Sequence, residues 1–136
     1  LRWGGEEFLV VREITNLSQA TDLANTVGEV LRAEPTPISE HQSLNITASL
    51  GLAVFPFQDN HPESLSWEDV VSLADHALYA AKRSGRDQWV SLLPTPTTPT
   101  HELKTSLLRG ISCLVAEDML AVAAPTGTDI ANLMWE

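Results

Sequence analysis

Arg2-Trp3-Gly4-Gly5-Glu6-Glu7-Phe8, continued by Leu9-Val10-Val11, is the stretch on which the fold turns. The run from Glu7 to Val11 is short, apolar and β-branched at its end, which suits a buried strand. Gly4-Gly5 supplies the backbone freedom of a tight turn, and Arg2-Trp3 reads as the end of a partner strand, so the segment predicts a β-hairpin. Only Leu1, Arg2 and Trp3 precede the two glycines, and the chain opens on Leu rather than Met. This reading therefore places the start of the chain inside a domain, with the first strand of the hairpin nearly all missing. Glu6 and Glu7 put two carboxylates at the turn, oxygen donors of the kind a hard cation prefers. A solvated turn with two surface acids accounts for the same residues.

Downstream, Ala20, Leu23, Ala24, Val27, Val30 and Leu31 recur at helical spacing. Asn16 or Ser18 caps this helix, Pro35 and Pro37 end it, and Gly28 within it costs about 1 kcal/mol relative to Ala. Ile46 to Val54 alternates, with Ile46, Ala48, Leu50, Leu52 and Val54 on one face and Thr47, Ser49, Gly51 and Ala53 on the other. That predicts a strand whose small-residue face either seats a helix or leaves room for a ligand. Ser66 and Asp69 form the signature of a capping box. Val70, Leu73, Ala74, Ala77, Leu78 and Ala81 form the apolar stripe of a second helix, with Gly85 placed for the residue after its end. Gln88 to Leu92 reads as a last short strand. The alternation of strands and helices places residues 1–92 in the α/β class.

At Pro94-Thr95-Pro96-Thr97-Thr98-Pro99-Thr100 the composition changes. A Pro/Thr tract favours extended structure, so residues 93–100 are expected to be a linker. Residues 101–136 are then a partly helical tail, with an amphipathic helix from Leu103 to about Ala123. The 136 residues are 43% hydrophobic and 19% charged, the composition of an ordinary globular protein. Eighteen acids against 8 Lys plus Arg give a net charge of −10, which argues against general binding of nucleic acid or of an anionic membrane. One cysteine, Cys113, allows no internal disulfide, which suits a reducing, cytoplasmic compartment. The longest apolar stretch, Ile111 to Ala124, is broken by Glu117-Asp118 and is shorter than the ~20 residues of a membrane helix.

Against this acidic background Lys82, Arg83 and Arg86 are three of the eight cations, gathered within five positions. At a spacing of four, Lys82 and Arg86 are expected to share a helix face, where they could grip phosphate oxygens. Cations in a last helical turn also simply complement the helix dipole, for roughly 0.3–1 kcal/mol. A polyanionic ligand bound to an acidic protein needs a metal and a local cationic clamp, and the chain offers one candidate for each.

Three separated segments resemble the GGDEF family of diguanylate cyclases. Arg2-Trp3-Gly4-Gly5-Glu6-Glu7-Phe8 resembles the R-Y-G-G-[DE]-E-F hairpin. Ile46-Thr47-Ala48-Ser49-Leu50-Gly51-Leu52-Ala53 resembles the V-T-x-S-x-G-x-A strand. Ala74-Asp75-His76-Ala77-Leu78-Tyr79-Ala80-Ala81-Lys82-Arg83-Ser84-Gly85-Arg86-Asp87 resembles the A-D-x-A-L-Y-x-A-K-x-x-G-R-N helix and exit. Trp3 stands where Tyr or Leu is usual, and Asp87 where Asn is usual. The likeness covers residues 1 to about 92 and implies helices on a mixed sheet, a ferredoxin-like fold related to nucleotidyl cyclases and polymerase palms. It implies condensation of two GTP into cyclic di-GMP in a homodimer, with Mg²⁺ (or Mn²⁺), in bacterial signalling.

By the same resemblance Glu6 is a metal ligand and the candidate for activating the 3′-hydroxyl, and Glu7 the second signature acid near the metal. Gly4 and Gly5 let the turn backbone approach the nucleotide, Lys82 and Arg86 contact its terminal phosphates, and Asp75 and Tyr79 support from the helix face shared with Lys82. The family's preceding half carries a further metal-binding Asp, guanine contacts and a product-inhibition R-x-x-D motif. The isolated chain is thus expected to lack one metal ligand, the guanine pocket and a central strand. Its sensor input and any membrane anchor lie outside this segment. Three readings follow: part of an active cyclase, a non-catalytic nucleotide-binding or interaction module, and an inactive fragment whose tail docks on the sheet in place of the missing strand.

Overall fold

A computed structural model describes residues 1–135. The expected hairpin is present: β1 (Arg2–Gly4) pairs antiparallel with β2 (Glu7–Phe8), with Gly5 at φ +53° in the turn. Arg2 closes the turn, donating from Nε and Nη2 to the Gly5 carbonyl at 2.9 and 2.7 Å. The strand is shorter than expected and is not buried, since Phe8, Val10 and Val11 are each 71% exposed. Among the described residues it pairs only with β1.

α1 (Leu17–Ala33) starts where Asn16 Oδ1 accepts from the Gln19 amide at 3.2 Å. It is followed by a hairpin the residue pattern did not indicate, β3 (Thr36–Ser39) with β4 (Gln42–Leu44), all of it exposed. The strand expected over Ile46–Val54 is confined to β5 (Leu50–Leu52). Its start coincides with that of its partner: β6 (Trp89–Pro94) pairs with it in parallel from Leu50↔Trp89 to Leu52↔Ser91, and the other edge of β5 carries no strand among the described residues.

Between these strands runs α2 (Trp67–Arg83), and the capping box read from the sequence is formed. Ser66 Oγ accepts from the Asp69 amide at 3.2 Å and Asp69 Oδ2 accepts from the Ser66 amide at 3.0 Å. Burial pushes the Asp69 carboxyl up, but hydrogen bonds from the Ser66 side chain and backbone and from Lys104 outweigh it, and its pKa lies below the ordinary 3.8. A carboxylate whose folded pKa is depressed stabilises the fold above its ordinary pKa and loses that contribution as pH falls through the folded value. Ser66→Ala is therefore expected to cost about 1 kcal/mol at neutral pH. The difference from wild type should narrow in acid below 3.8, as read from urea unfolding at the two pH values.

α2 lies on β5 and β6, burying Val70, Leu73, Ala77, Ala80 and Ala81. At the crossing, a Cβ built on Gly51 would stand 1.9 Å from the Ala74 carbonyl oxygen and 2.3 Å from the Leu78 amide nitrogen. The small-residue face of β5 therefore seats a helix, and no ligand space exists at Gly51.

The segment expected to be a linker is folded back and bonded. Thr98 is 5% exposed, its Oγ1 accepts from the Thr95 amide at 2.7 Å, and it donates to the Met119 carbonyl at 2.6 Å. Thr95 and Thr97 both donate to the Asp118 carbonyl. Hydroxyls that find fixed carbonyl partners hold the Pro/Thr tract in place. The helix expected from Leu103 to Ala123 is divided into α3 (Leu103–Ser106), a 3-10 turn over Leu107–Arg109 and α4 (Ile111–Ala116). Gly110 at φ +92° breaks it, and Asp118 at φ +58° turns the chain into a strand. That strand, β7 (Leu120–Ala123), pairs antiparallel with β6 on the edge opposite β5, completing a mixed three-stranded sheet in the order β5-β6-β7. The tail does dock on the sheet, but on the β6 edge, and among the described residues no strand pairs on the β5 edge. Leu103, Ile111, Leu114, Leu120, Leu133 and Trp135 join Phe57, Leu65, Leu73, Val90 and Leu92 in one core. The α/β class and the mixed sheet are those the sequence predicts.

Candidate active site

The site is built where the β1–β2 turn meets the last turn of α2. Gly5 and Glu6 form the tip, Gly4 and Gly5 have open space where a Cβ would stand, and Glu6 is exposed. Glu7, one position on in β2, turns toward α2 and accepts from Lys82 Nζ at 2.5 Å, across 75 positions of sequence. That contact brings the paired acids and the basic cluster to one place. Both side chains are about one third exposed, 37% for Glu7 and 32% for Lys82. An ion pair this accessible contributes about 0–1 kcal/mol and can exchange partners.

The sequence expectation for Arg86 is corrected. α2 ends at Arg83, and Gly85 (φ +113°), Arg86 (φ +61°) and Asp87 (φ +49°) follow in left-handed conformations. Lys82 and Arg86 are therefore not on one helix face. They meet through the loop, with Arg86 Nη1 donating to the Lys82 carbonyl at 3.2 Å and the Arg86 amide to the Ala81 carbonyl at 3.0 Å. Two consecutive non-glycine residues in this region, at roughly 1–2 kcal/mol each, must be held by their surroundings.

Two holders are visible. Gln88 Nε2 donates to the Ser84 carbonyl at 2.8 Å, and Arg32 Nη1 of α1 donates to Asp87 Oδ1 at 2.6 Å. Nothing in the residue pattern marks Arg32 and Asp87 as partners, 55 positions apart. Asp75 and Tyr79 are exposed on α2, and the Arg83 guanidinium lies 5.9 Å from the Tyr79 ring centre.

Chemically, the two carboxylates are of the right kind for an oxygen-seeking cation. Mg²⁺ is commonly held by one or two carboxylates together with substrate phosphates. No group of three His, Cys, Asp or Glu side chains that could hold an ion occurs among the described residues, so Glu6 and Glu7 would be a partial set. No helix of the described residues is long and apolar enough to cross a membrane.

Residues 1–88 match the family model described as "Diguanylate cyclase, GGDEF domain". The chain is 32% identical over 87 residues to the response regulator PleD of Caulobacter vibrioides, covering 63% of this chain and 18% of the relative. It is 36% identical over 87 residues to the diguanylate cyclase DgcP of Pseudomonas aeruginosa, 64% of this chain and 12% of the relative. It is 33% identical over 87 residues to the diguanylate cyclase DosC of Escherichia coli, 64% of this chain and 18% of the relative. The chain thus spans between about a tenth and a fifth of the length of these relatives. No solved structure matches it. The match lies on the hairpin, β5 and α2, the elements that carry the paired acids and the basic exit loop, and through residues 1–88 the chain belongs to the GGDEF domain family.

Proposed function

We propose that residues 1–92 are the portion of a GGDEF unit that carries the metal-side carboxylates and the phosphate-side cations. In the longer protein this unit would condense two GTP into cyclic di-GMP as a homodimer, with residues 93–100 and 101–136 as an addition to it. The observation that carries this reading is the 2.5 Å contact between Glu7 and Lys82, which joins acids and cations at one exposed place. In a protein with net charge −10, Lys82, Arg83 and Arg86 are where a triphosphate can approach without meeting an excess of like charge.

Glu6 and Glu7 would hold Mg²⁺ or Mn²⁺, and the bound ion would neutralise charge on the phosphates. Glu6, exposed at the turn tip, is the candidate base for the 3′-hydroxyl. Lys82 would leave Glu7 for the terminal phosphates, an exchange of one anionic partner for another. Arg86 would supply the second cationic contact, and Gly4 and Gly5, open on the tip, would let the backbone lie against the nucleotide. Positioning and charge stabilisation of this kind supply most of the rate in phosphoryl and nucleotidyl transfer. Asp75 and Tyr79 would support the α2 face.

A second reading, a nucleotide-binding or interaction module without turnover, is favoured by the partial ligand set: among the described residues no third metal ligand stands beside Glu6 and Glu7. Incubation with GTP and Mg²⁺, with chromatographic detection of cyclic di-GMP, separates the two. The longer protein is expected to make product and this chain alone to bind GTP without making it. In the longer protein Glu6→Ala should abolish synthesis, and an active Glu6→Ala protein would remove Glu6 from the chemistry. Lys82→Ala should weaken GTP binding about tenfold, the effect of one charge-assisted phosphate contact. Its unfolding midpoint should shift little, because the Glu7 pair it loses is exposed.

A further inference from the structure

Gly28 looks misplaced in the middle of α1, yet a Cβ built on it would stand 3.1 and 3.2 Å from Arg32 Nη2 and Nη1. The Arg32 guanidinium thus lies back over position 28, one turn earlier on the same helix, and fills the space that a side chain there would occupy. From that place it reaches across 55 positions of sequence to Asp87. Asp87 immediately follows Arg86, and both are held at positive φ. Arg32, Arg86 and Asp87 line one open cleft of about 500 Å³ between α1 and the exit of α2. Three features that fit poorly alone are a glycine inside a helix, a long cation on an exposed face and two left-handed non-glycine residues. They form one connected device.

We propose that Arg32 is a positioning residue that, through Asp87 and the room left by Gly28, fixes the backbone that aims Arg86 at the phosphates of the ligand. This rests on the reading of Arg86 as a phosphate contact. With Arg32 45% and Asp87 36% exposed, the pair contributes little to folding, so its effect falls on the loop and not on global stability. A tethered arginine loses less freedom on gripping an anion than one on a loose loop.

The test uses the whole chain, inorganic pyrophosphate as the probe, and NMR of the arginine Nε–H groups. Arg32→Met is expected to weaken pyrophosphate binding two- to fivefold, roughly the range an exposed ion pair spans. It should shift the Arg86 Nε–H resonance before any pyrophosphate is added and leave the unfolding midpoint in place. Arg32→Lys should restore part of the affinity. Gly28→Ala, which raises helix propensity, should unfold no more easily than wild type yet bind more weakly. Arg86→Met should bind more weakly than any of these. If Arg86→Met loses binding while Arg32→Met matches wild type in affinity and in the Arg86 signal, the positioning role is overturned. If wild type and Arg86→Met bind pyrophosphate equally, or neither binds it, the phosphate reading of Arg86 fails instead. The ligand-free Arg86 signal then decides the positioning role: moved by Arg32→Met it stands, unmoved it is overturned.

Discussion

Gly51→Ala is expected to leave the protein unfolded or to destabilise it by about 3 kcal/mol or more, at or beyond the upper end of what added methyl groups cost in packed interiors. The added Cβ would meet the Ala74 carbonyl oxygen at 1.9 Å and the Leu78 amide at 2.3 Å. Both belong to the backbone of α2, so no rotamer change relieves the clash, and the helix as a whole would have to rise off β5. That helix buries Val70, Leu73 and Ala77 against the sheet and carries Lys82 at its end. Lifting it would lose packing and would also pull Lys82 away from Glu7. Urea unfolding reads the loss directly, and a Gly51→Ala chain with the wild-type midpoint would show that α2 does not sit on β5 at this distance.

Gly51 also marks what the sequence could and could not convey. Its alternating neighbours announce a strand, and glycine in a strand interior announces a close approach, but the pattern does not say what approaches. The two long helices were legible because each carries its own evidence: a 3.6-residue apolar period, Asn16 or Ser66 at the start, and Pro35 or Gly85 at the end. Strand lengths were not, because a strand extends only as far as its partner. Ile46 to Ser49 alternate as well as Leu50 to Leu52 do, but β6 begins only at Trp89, opposite Leu50. The β3–β4 hairpin was hidden by a Glu40-His41 turn without Gly or Asn and by Pro37 within the strand, features that ordinarily demote one.

In the site, the acids and Lys82 were legible because the motif places them, and their convergence is a tertiary fact carried by one contact. Arg86 leaves the helix face of Lys82 because Gly85 lies between them, just past the end of α2 at Arg83, a signal present in the sequence. Arg32 and Asp87 left only a faint trace, a helical glycine four positions before an arginine. In the tail, apolar spacing over Leu103–Ala123 fits one helix only if Gly110 is discounted, and Gly110 at φ +92° divides it. The hydroxyl-to-carbonyl bonds that fix Thr95, Thr97 and Thr98 join residues more than twenty positions apart, beyond any local pattern.

Removal of residues 95–136 is expected to abolish cooperative unfolding, although the family match ends before them at residue 88. The cut takes β7 from the edge of β6 and uncovers Leu92, a residue with no exposed surface in the intact chain, together with Phe57 and Leu65. An independent tail on a flexible tether would leave the midpoint of residues 1–94 unchanged. A tail that completes the core would not, since each large apolar side chain returned to water costs roughly 1.5–3 kcal/mol against a typical total stability of about 5–15 kcal/mol. The ordering entropy of the deleted segment is recovered at the same time, so the difference is smaller than the summed burial of the tail. A point substitution avoids that ambiguity. Leu114, fully buried in α4, leaves a cavity when replaced by alanine, and Leu114→Ala should lower the unfolding free energy by about 2–5 kcal/mol. The loss should register in probes on both sides of the Pro/Thr tract, such as the NMR resonances of the Trp89 indole N–H and of the β7 amides followed through urea unfolding. Equal midpoints from the two probes would show one cooperative unit. A transition confined to the tail, with Trp89 unaffected, would show that residues 101–136 fold apart from the sheet.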